Sequence, residues 1–240
     1  MSAVQNAERK TLVLLPGLLC DAALFAPQVE ALSDLCRTWI PDLTRDDSME
    51  ALARRVLAEA PAECFSCAGL SMGGYVAQEI MRQAPQRVVR LALLDTRARP
   101  DSPDELERRR TLMRFAEGAK GFAPVNQRML PLLVHPSRLN DERLVRVIDE
   151  MAERTGIPGY LRQQSAIMSR ADFRPFLKQI GCPTLVLCGR QDALTPVGFH
   201  DEIAAAIPDA RLVILEECGH LSTLERPVEV NAALRAWLGE

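Results

Sequence analysis

Two hydrophobic periodicities alternate along the chain. Short apolar runs rich in leucine, valine and isoleucine fall at 11–15, 37–40, 64–68, 88–94, 184–188 and 211–215. They have the length and bounding residues of buried strands. Between them apolar residues recur at helical spacing. In 48–60, Met49, Leu52, Ala53, Val56, Leu57 and Ala60 share one face, with Ser48 or Asp47 available as cap. The segments 72–84, 197–206 and 228–238 read the same way. Strand and helix in alternation predict a parallel sheet joined by crossover helices.

The stretch 99–174 breaks this rhythm. It carries no strand signal, only helical patterns: Leu112, Phe115, Ala116 and Ala119, then Leu144, Val147, Ile148, Met151 and Ala152 after the capping candidate Asn140. The expectation is a core of 1–98 with 175–240 and a helical cap over one sheet edge. Such a cap would wall the substrate pocket, with residues such as Leu112 and Met151, and add little to the catalytic geometry. Its glycines, Gly118, Gly121, Gly156 and Gly159, flank helices where a lid would flex. Arg108, Arg109, Arg110 and Arg114 read as a solvated face; the other reading is a docking surface for an acidic substrate or carrier.

With 29 basic against 32 acidic residues and a net charge of −3, the chain lacks the basic footprint of a nucleic-acid binder. No stretch approaches the roughly 20 apolar residues of a membrane helix. The run "KTLVLLPGLLC" reads poorly as a targeting signal: Pro16 and Gly17 interrupt it, Glu8 places an acid before it, and Leu19 is too large for a cleavage point. A cytoplasmic location is expected. The seven cysteines then read as free thiols. Cys64 and Cys67 have redox or zinc spacing, but Phe65 and Ser66 continue an extended run rather than opening a helix, so no metal or cofactor is expected.

One candidate for chemistry stands out. In "AGLSMGGY", residues 68–75, Ser71 lies between an apolar strand and a helical run, flanked by Gly69, Gly73 and Gly74. A turn that sharp needs small neighbours and lifts the hydroxyl clear of the sheet at a helix N-terminus. The N–H of Met72 is then free to donate to a developing oxyanion. A serine needs a base, and of three histidines His220 follows the last strand run. His200 and His135 read as surface or packing residues. A carboxylate must orient the base. Asp192 follows the run 184–188 and Asp95 ends the run 88–94, so both belong at the carboxyl edge; the order Ser71, Asp192, His220 favours Asp192. After the first run, Pro16 and Gly17 turn the chain so that the N–H of Leu18 supplies a second oxyanion donor.

These segments resemble the α/β-hydrolase family. "LVLLPGLLCDAALF" is similar to its oxyanion loop, "GLSMGGYVA" to its nucleophile elbow, "CPTLVLCGRQDALTP" to its acid strand, and "IPDARLVILEECGHLSTLERPVEVNAALRAWL" to its histidine loop and final helix. The resemblance covers nearly the whole chain. It is nearest the small helix-capped group of enol-lactonases, carrier-protein methyl esterases and perhydrolases. It implies an α/β fold with a mostly parallel sheet of about six to eight strands, helices on both faces, and a helical cap after the family's sixth strand. It also implies Ser71 as nucleophile, His220 as base, Asp192 as orienter, and Leu18 with Met72 as backbone donors. Where many members read His-Gly, this chain has Pro16-Gly17, and too few residues precede Thr11 for the family's two leading strands. The expected partner is a small ester, lactone or thioester, met by a monomer or homodimer. Carbon–carbon bond hydrolysis and perhydrolysis use the same three residues, and a non-catalytic receptor uses the same fold.

Overall fold

The computed structural model describes residues 10–118 and 123–239. Six strands form one sheet: β1 (Lys10–Leu15), β2 (Cys36–Trp39), β3 (Phe65–Leu70), β4 (Val88–Leu94), β5 (Thr184–Gly189) and β6 (Ala210–Leu215). Their spatial order is β2-β1-β3-β4-β5-β6, and every neighbouring pair is parallel. β3 and β5 are buried at every position. Covered on both faces, such strands read in sequence as unbroken apolar runs rather than alternating ones. β3 extends beyond the run that announced it, because Gly69 still pairs with Leu15 and Leu93, and Leu70 with Leu94.

Helices cover both faces. On one, Val13, Leu15, Cys67 and Val186 pack against α2 (Met49–Glu59), α3 (Met72–Gln83) and α8 (Val197–Ala206). On the other, Leu12, Leu14, Leu70 and Leu187 meet the segment through α1 (Ala26–Ala31) and the final helix α10 (Pro227–Gly239), which inserts Val230, Leu234 and Trp237. Alternate residues of each strand serve opposite layers. Ser48, not Asp47, caps α2 by accepting from the Ala51 N–H.

Between β4 and β5 run α4 (Pro103–Glu117), α5 (Ala123–Leu133), α6 (Glu142–Met168) and the short α7 (Arg174–Leu177), with no strand among the described residues. Another single-turn helix, α9 (Ser222–Glu225), precedes α10. Ser102 opens α4 in a reciprocal capping box with Glu105. The cap of α6 is Asp141 rather than Asn140; its carboxylate accepts from the N–H groups of Arg143 and Leu144. α6 breaks at Gly156, whose φ of 66° leaves the helical region just before Pro158. Gly118 ends α4, while Gly121 and Ala119 lie outside the described residues. Gly159 is a packing contact instead of a flanking hinge: a Cβ there would come within 3.2 Å of Thr44. Among the described residues, no helix is long and apolar enough to cross a membrane.

Candidate active site

Ser71 joins β3 to α3 with φ 54° and ψ −113°, a conformation costly for a residue with a side chain. Its surroundings impose it. The Ser71 N–H donates to the Leu94 carbonyl at 2.9 Å, and the Ser71 carbonyl accepts from the Thr96 hydroxyl at 2.8 Å and the Gly74 N–H at 2.9 Å. A methyl group on Gly69 would overlap the Gly73 carbonyl, and one on Gly73 would overlap the Leu15 carbonyl. Strand and helix therefore approach too closely for any residue but glycine at both positions.

The ends of three strands meet here. Ser71 Oγ lies 2.9 Å from His220 Nε2, and His220 Nδ1 lies 2.8 Å from Asp192 Oδ2. Asp192 follows β5 and His220 follows β6, and both are buried. The Asp192 carboxylate also accepts from the Thr195 hydroxyl at 2.5 Å and from the N–H groups of Leu194 and Thr195, each at 2.8 Å. Burial acts to raise its pKa, but the His220 charge and these donors outweigh burial and hold the carboxyl below its ordinary value. For His220, burial favours the neutral ring, yet the adjoining Asp192 carboxylate prevails and its pKa is raised.

Asp95 and the other histidines stand apart from this chain of bonds. Asp95 accepts from the Gly189 N–H at 3.1 Å and from the Ser222 hydroxyl, and none of its hydrogen bonds is to His220. Burial first, then the nearby Asp192 charge, raise its pKa well above the carboxylate range. His200 is wholly buried and not at the surface; its Nε2 accepts from the Thr96 N–H at 2.9 Å, and burial pulls its pKa down to about 4. It thereby steadies the threonine that holds Ser71. His135 caps the turn Pro136–Arg138.

The N–H of Met72 opens α3, where helix geometry leaves it without an intrahelical acceptor. The N–H of Leu18 makes no hydrogen bond among the described residues. The turn that presents it closes with Cys20 N–H donating to the Gly17 carbonyl at 3.1 Å, and its left-handed residue is Leu19, φ 61°, rather than Gly17. Gln163 of α6 holds this strained residue, its Oε1 accepting from the Leu19 N–H at 3.0 Å. A Cβ on Gly17 would find ordinary contact 3.5 Å from Ser71 Cβ, so that glycine leaves room beside the hydroxyl instead of supplying a special backbone angle.

The model of the Alpha/beta hydrolase family matches residues 12–233. The chain belongs to that family. It is 31% identical over 230 residues to a pimeloyl-[acyl-carrier protein] methyl ester esterase of Nitrosomonas europaea, with 90% of each chain covered. In structure it is similar to a thermophilic esterase from Thermogutta terrifontis solved with malate bound, at TM-score 0.89 and 31% identity over 96% of this chain and 89% of that one. The enol-lactonase from Burkholderia xenovorans LB400 gives a TM-score of 0.86 at 26% identity, over 98% and 94%. These relatives act on esters and a lactone, so hydrolysis is the reaction class the comparisons support.

In this alpha/beta hydrolase the inserted helices do more than wall a pocket. The N–H groups of His220 and Leu221 both donate to the Leu133 carbonyl of α5, at 3.0 and 3.1 Å. Glu225 bridges the same junction, accepting from the Gly219 N–H at 3.0 Å and the His135 N–H at 2.7 Å. The insertion thus braces the histidine loop, contrary to the expectation that it adds little to that geometry. Sequence offered no sign of this, because the partners lie far apart along the chain. A cavity of about 250 Å³ opens beside Ser71, with Gly17, Leu18 and His220 below and Leu112, Met129 and Leu132 above. Met151, expected beside Leu112, is instead packed in the core with Leu144 and Ile148. Cys20 also lines the cavity, but burial pushes its thiol up to about 12, too high for an attacking thiolate.

Proposed function

We propose that this protein is a serine hydrolase that cleaves a small carboxylic ester, lactone or thioester through an acyl-serine intermediate. The observation that carries the reading is the unbroken hydrogen-bonded line from Ser71 Oγ through His220 to Asp192, with Ser71 lining a cavity. As Oγ attacks the carbonyl carbon, His220 Nε2 takes its proton and Asp192 stabilises the imidazolium. The carbonyl oxygen, now negative, is received by the Leu18 and Met72 N–H groups. The tetrahedral adduct collapses, the leaving group departs with the proton from His220, and water repeats the sequence to release the acid and restore Ser71.

In the same reading, 99–174 is a cap on a core of 1–98 and 175–240, and the seven unpaired cysteines accord with a cytoplasmic protein. The test is turnover of short p-nitrophenyl esters, a methyl ester and a lactone by the wild type and by Ser71→Ala. The wild type is expected to turn over at least one of these, and loss of the nucleophile to lower its kcat by on the order of 10⁶. Hydrolysis that survives the substitution within about tenfold would refute the mechanism.

A further inference from the structure

The cavity beside Ser71 is hydrocarbon along most of its wall and charged at one end. Arg97, Glu105, Arg108 and Arg109 supply that end. Three of these lie on α4 at i, i+3 and i+4, and Leu112, another lining residue, continues the same stripe one turn on. One helical face therefore presents both the charged and the apolar wall.

The charges do not cancel. Asp101, whose side chain has no exposed surface, pairs with Arg97, with Arg109 at 2.7 Å and with Arg170 at 2.8 Å. Glu105 takes the other Arg97 nitrogen at 2.6 Å. Burial opposes ionisation of Asp101, but its arginine partners prevail and hold the carboxyl down at about 2, so it is charged at neutral pH. Three guanidinium groups thus face two carboxylates in a largely buried cluster, leaving one positive charge in excess. Arg108 adds a second, and it has no ion pair or hydrogen bond to any described residue. The Nε of Arg97, unlike the exposed Arg108, is buried, and it has no partner among the described residues. The excess within the buried cluster is costly unless an anion completes it, whereas Arg108, exposed at the rim of the cavity, is free to turn toward one.

We propose that the substrate of this site carries a free carboxylate, joined through a short apolar chain to the scissile carbonyl, and that Arg108 receives it at the positive end of the cavity. This rests on the serine-hydrolase reading above. A guanidinium presents paired donors that match the two oxygens of a carboxylate, and the excess charge behind Arg108 strengthens the attraction. The apolar wall between Ser71 and α4 accommodates the methylene chain. Neutral esters of equal length lose the ionic contact and gain nothing in exchange.

The experiment compares monomethyl hexanedioate with dimethyl hexanedioate. For the wild type, kcat/KM is expected to favour the half-ester by on the order of tenfold or more, as for a charge-assisted hydrogen bond, and the preference should shrink in high salt. Arg108→Gln should erase most of it, and Arg108→Lys should retain part. Equal use of both esters, or a preference untouched by Arg108→Gln, would overturn the proposal. Binding of the same pair to Ser71→Ala by calorimetry separates this claim from the one beneath it. The charge preference in Kd should persist there and depend on Arg108. That preference without turnover by the wild type would leave the carboxylate site standing and remove the hydrolase reading, whereas binding indifferent to charge would remove the site.

Discussion

Two neighbouring strand ends each hold a buried aspartate, and they behave oppositely. Asp95 follows β4 directly and Asp192 follows β5; their exposures are 0% and 3%. Asp192 accepts from His220, from the Thr195 hydroxyl and from two backbone N–H groups, and its carboxyl lies below the usual range. Among the described residues Asp95 has only the Gly189 N–H and the Ser222 hydroxyl as donors; burial and the nearby Asp192 charge raise its carboxyl well above the usual range. Placement at the carboxyl edge brings an acid to the site, but burial and the donors and charges around it decide in which direction its pKa moves. Of the two, Asp192 is the one hydrogen-bonded to the imidazole.

The largest expected difference comes from replacing each acid by its amide. Asp192→Asn should lower kcat on a short ester by on the order of 10⁴, because it removes the charge and offers the ring the wrong partner. Asp95→Asn should stay within roughly tenfold of wild type, since Asp95 makes no hydrogen bond to His220 among the described residues. Equal losses, measured on variants of matched thermal stability, would break the comparison.

A smaller effect sharpens it through the two buried histidines. His220, beside a carboxylate, has a raised pKa, while His200, bonded to the Thr96 N–H, lies at about 4. A depressed histidine stabilises the fold above its unfolded value of about 6.5, and this is lost as pH falls toward its folded value. His200 should therefore remove about 2 kcal/mol of unfolding free energy between pH 7 and pH 5. Urea unfolding of His200→Gln at both pH values should show that portion gone. The raised histidine has the opposite sign: its contribution is present below about 6.5 and lost as pH rises through its folded pKa, so it cannot produce the acid loss. An unaltered acid loss in His200→Gln would show that the ring is not held neutral by the fold.

Much of the fold was legible because the central strands, β3 and β5 above all, are covered on both faces and so appear as apolar runs. The Ser71 turn was legible because its glycines are local: Gly69 and Gly73 announce a close approach wherever the partner lies. The acid pair was readable only as far as its location, since His220, Ser222 and Gly189 act on the two carboxyls from other segments, and only Thr195, in the Asp192 loop itself, is local. The supports of the site stayed hidden for the same reason. Gln163 pins Leu19 from 144 residues away, and Glu225 reaches His135 across 90. The arginines of α4 looked alike in sequence, yet Arg110 and Arg114 pair with exposed Glu107 while Arg108 and Arg109 face the cavity. Only the placement of α4 over the sheet edge divides them.

The central claim, that Ser71 becomes acylated with His220 as its base, is most directly tested by trapping the covalent enzyme. Wild-type protein treated with a small fluorophosphonate and digested for mass spectrometry should carry one equivalent of label, on Ser71. In His220→Ala the labelling rate should fall by several orders of magnitude, because the hydroxyl then has no group to take its proton. Label on another serine, such as Ser222 beside Asp95, or undiminished labelling of Ser71 without His220, would contradict the account.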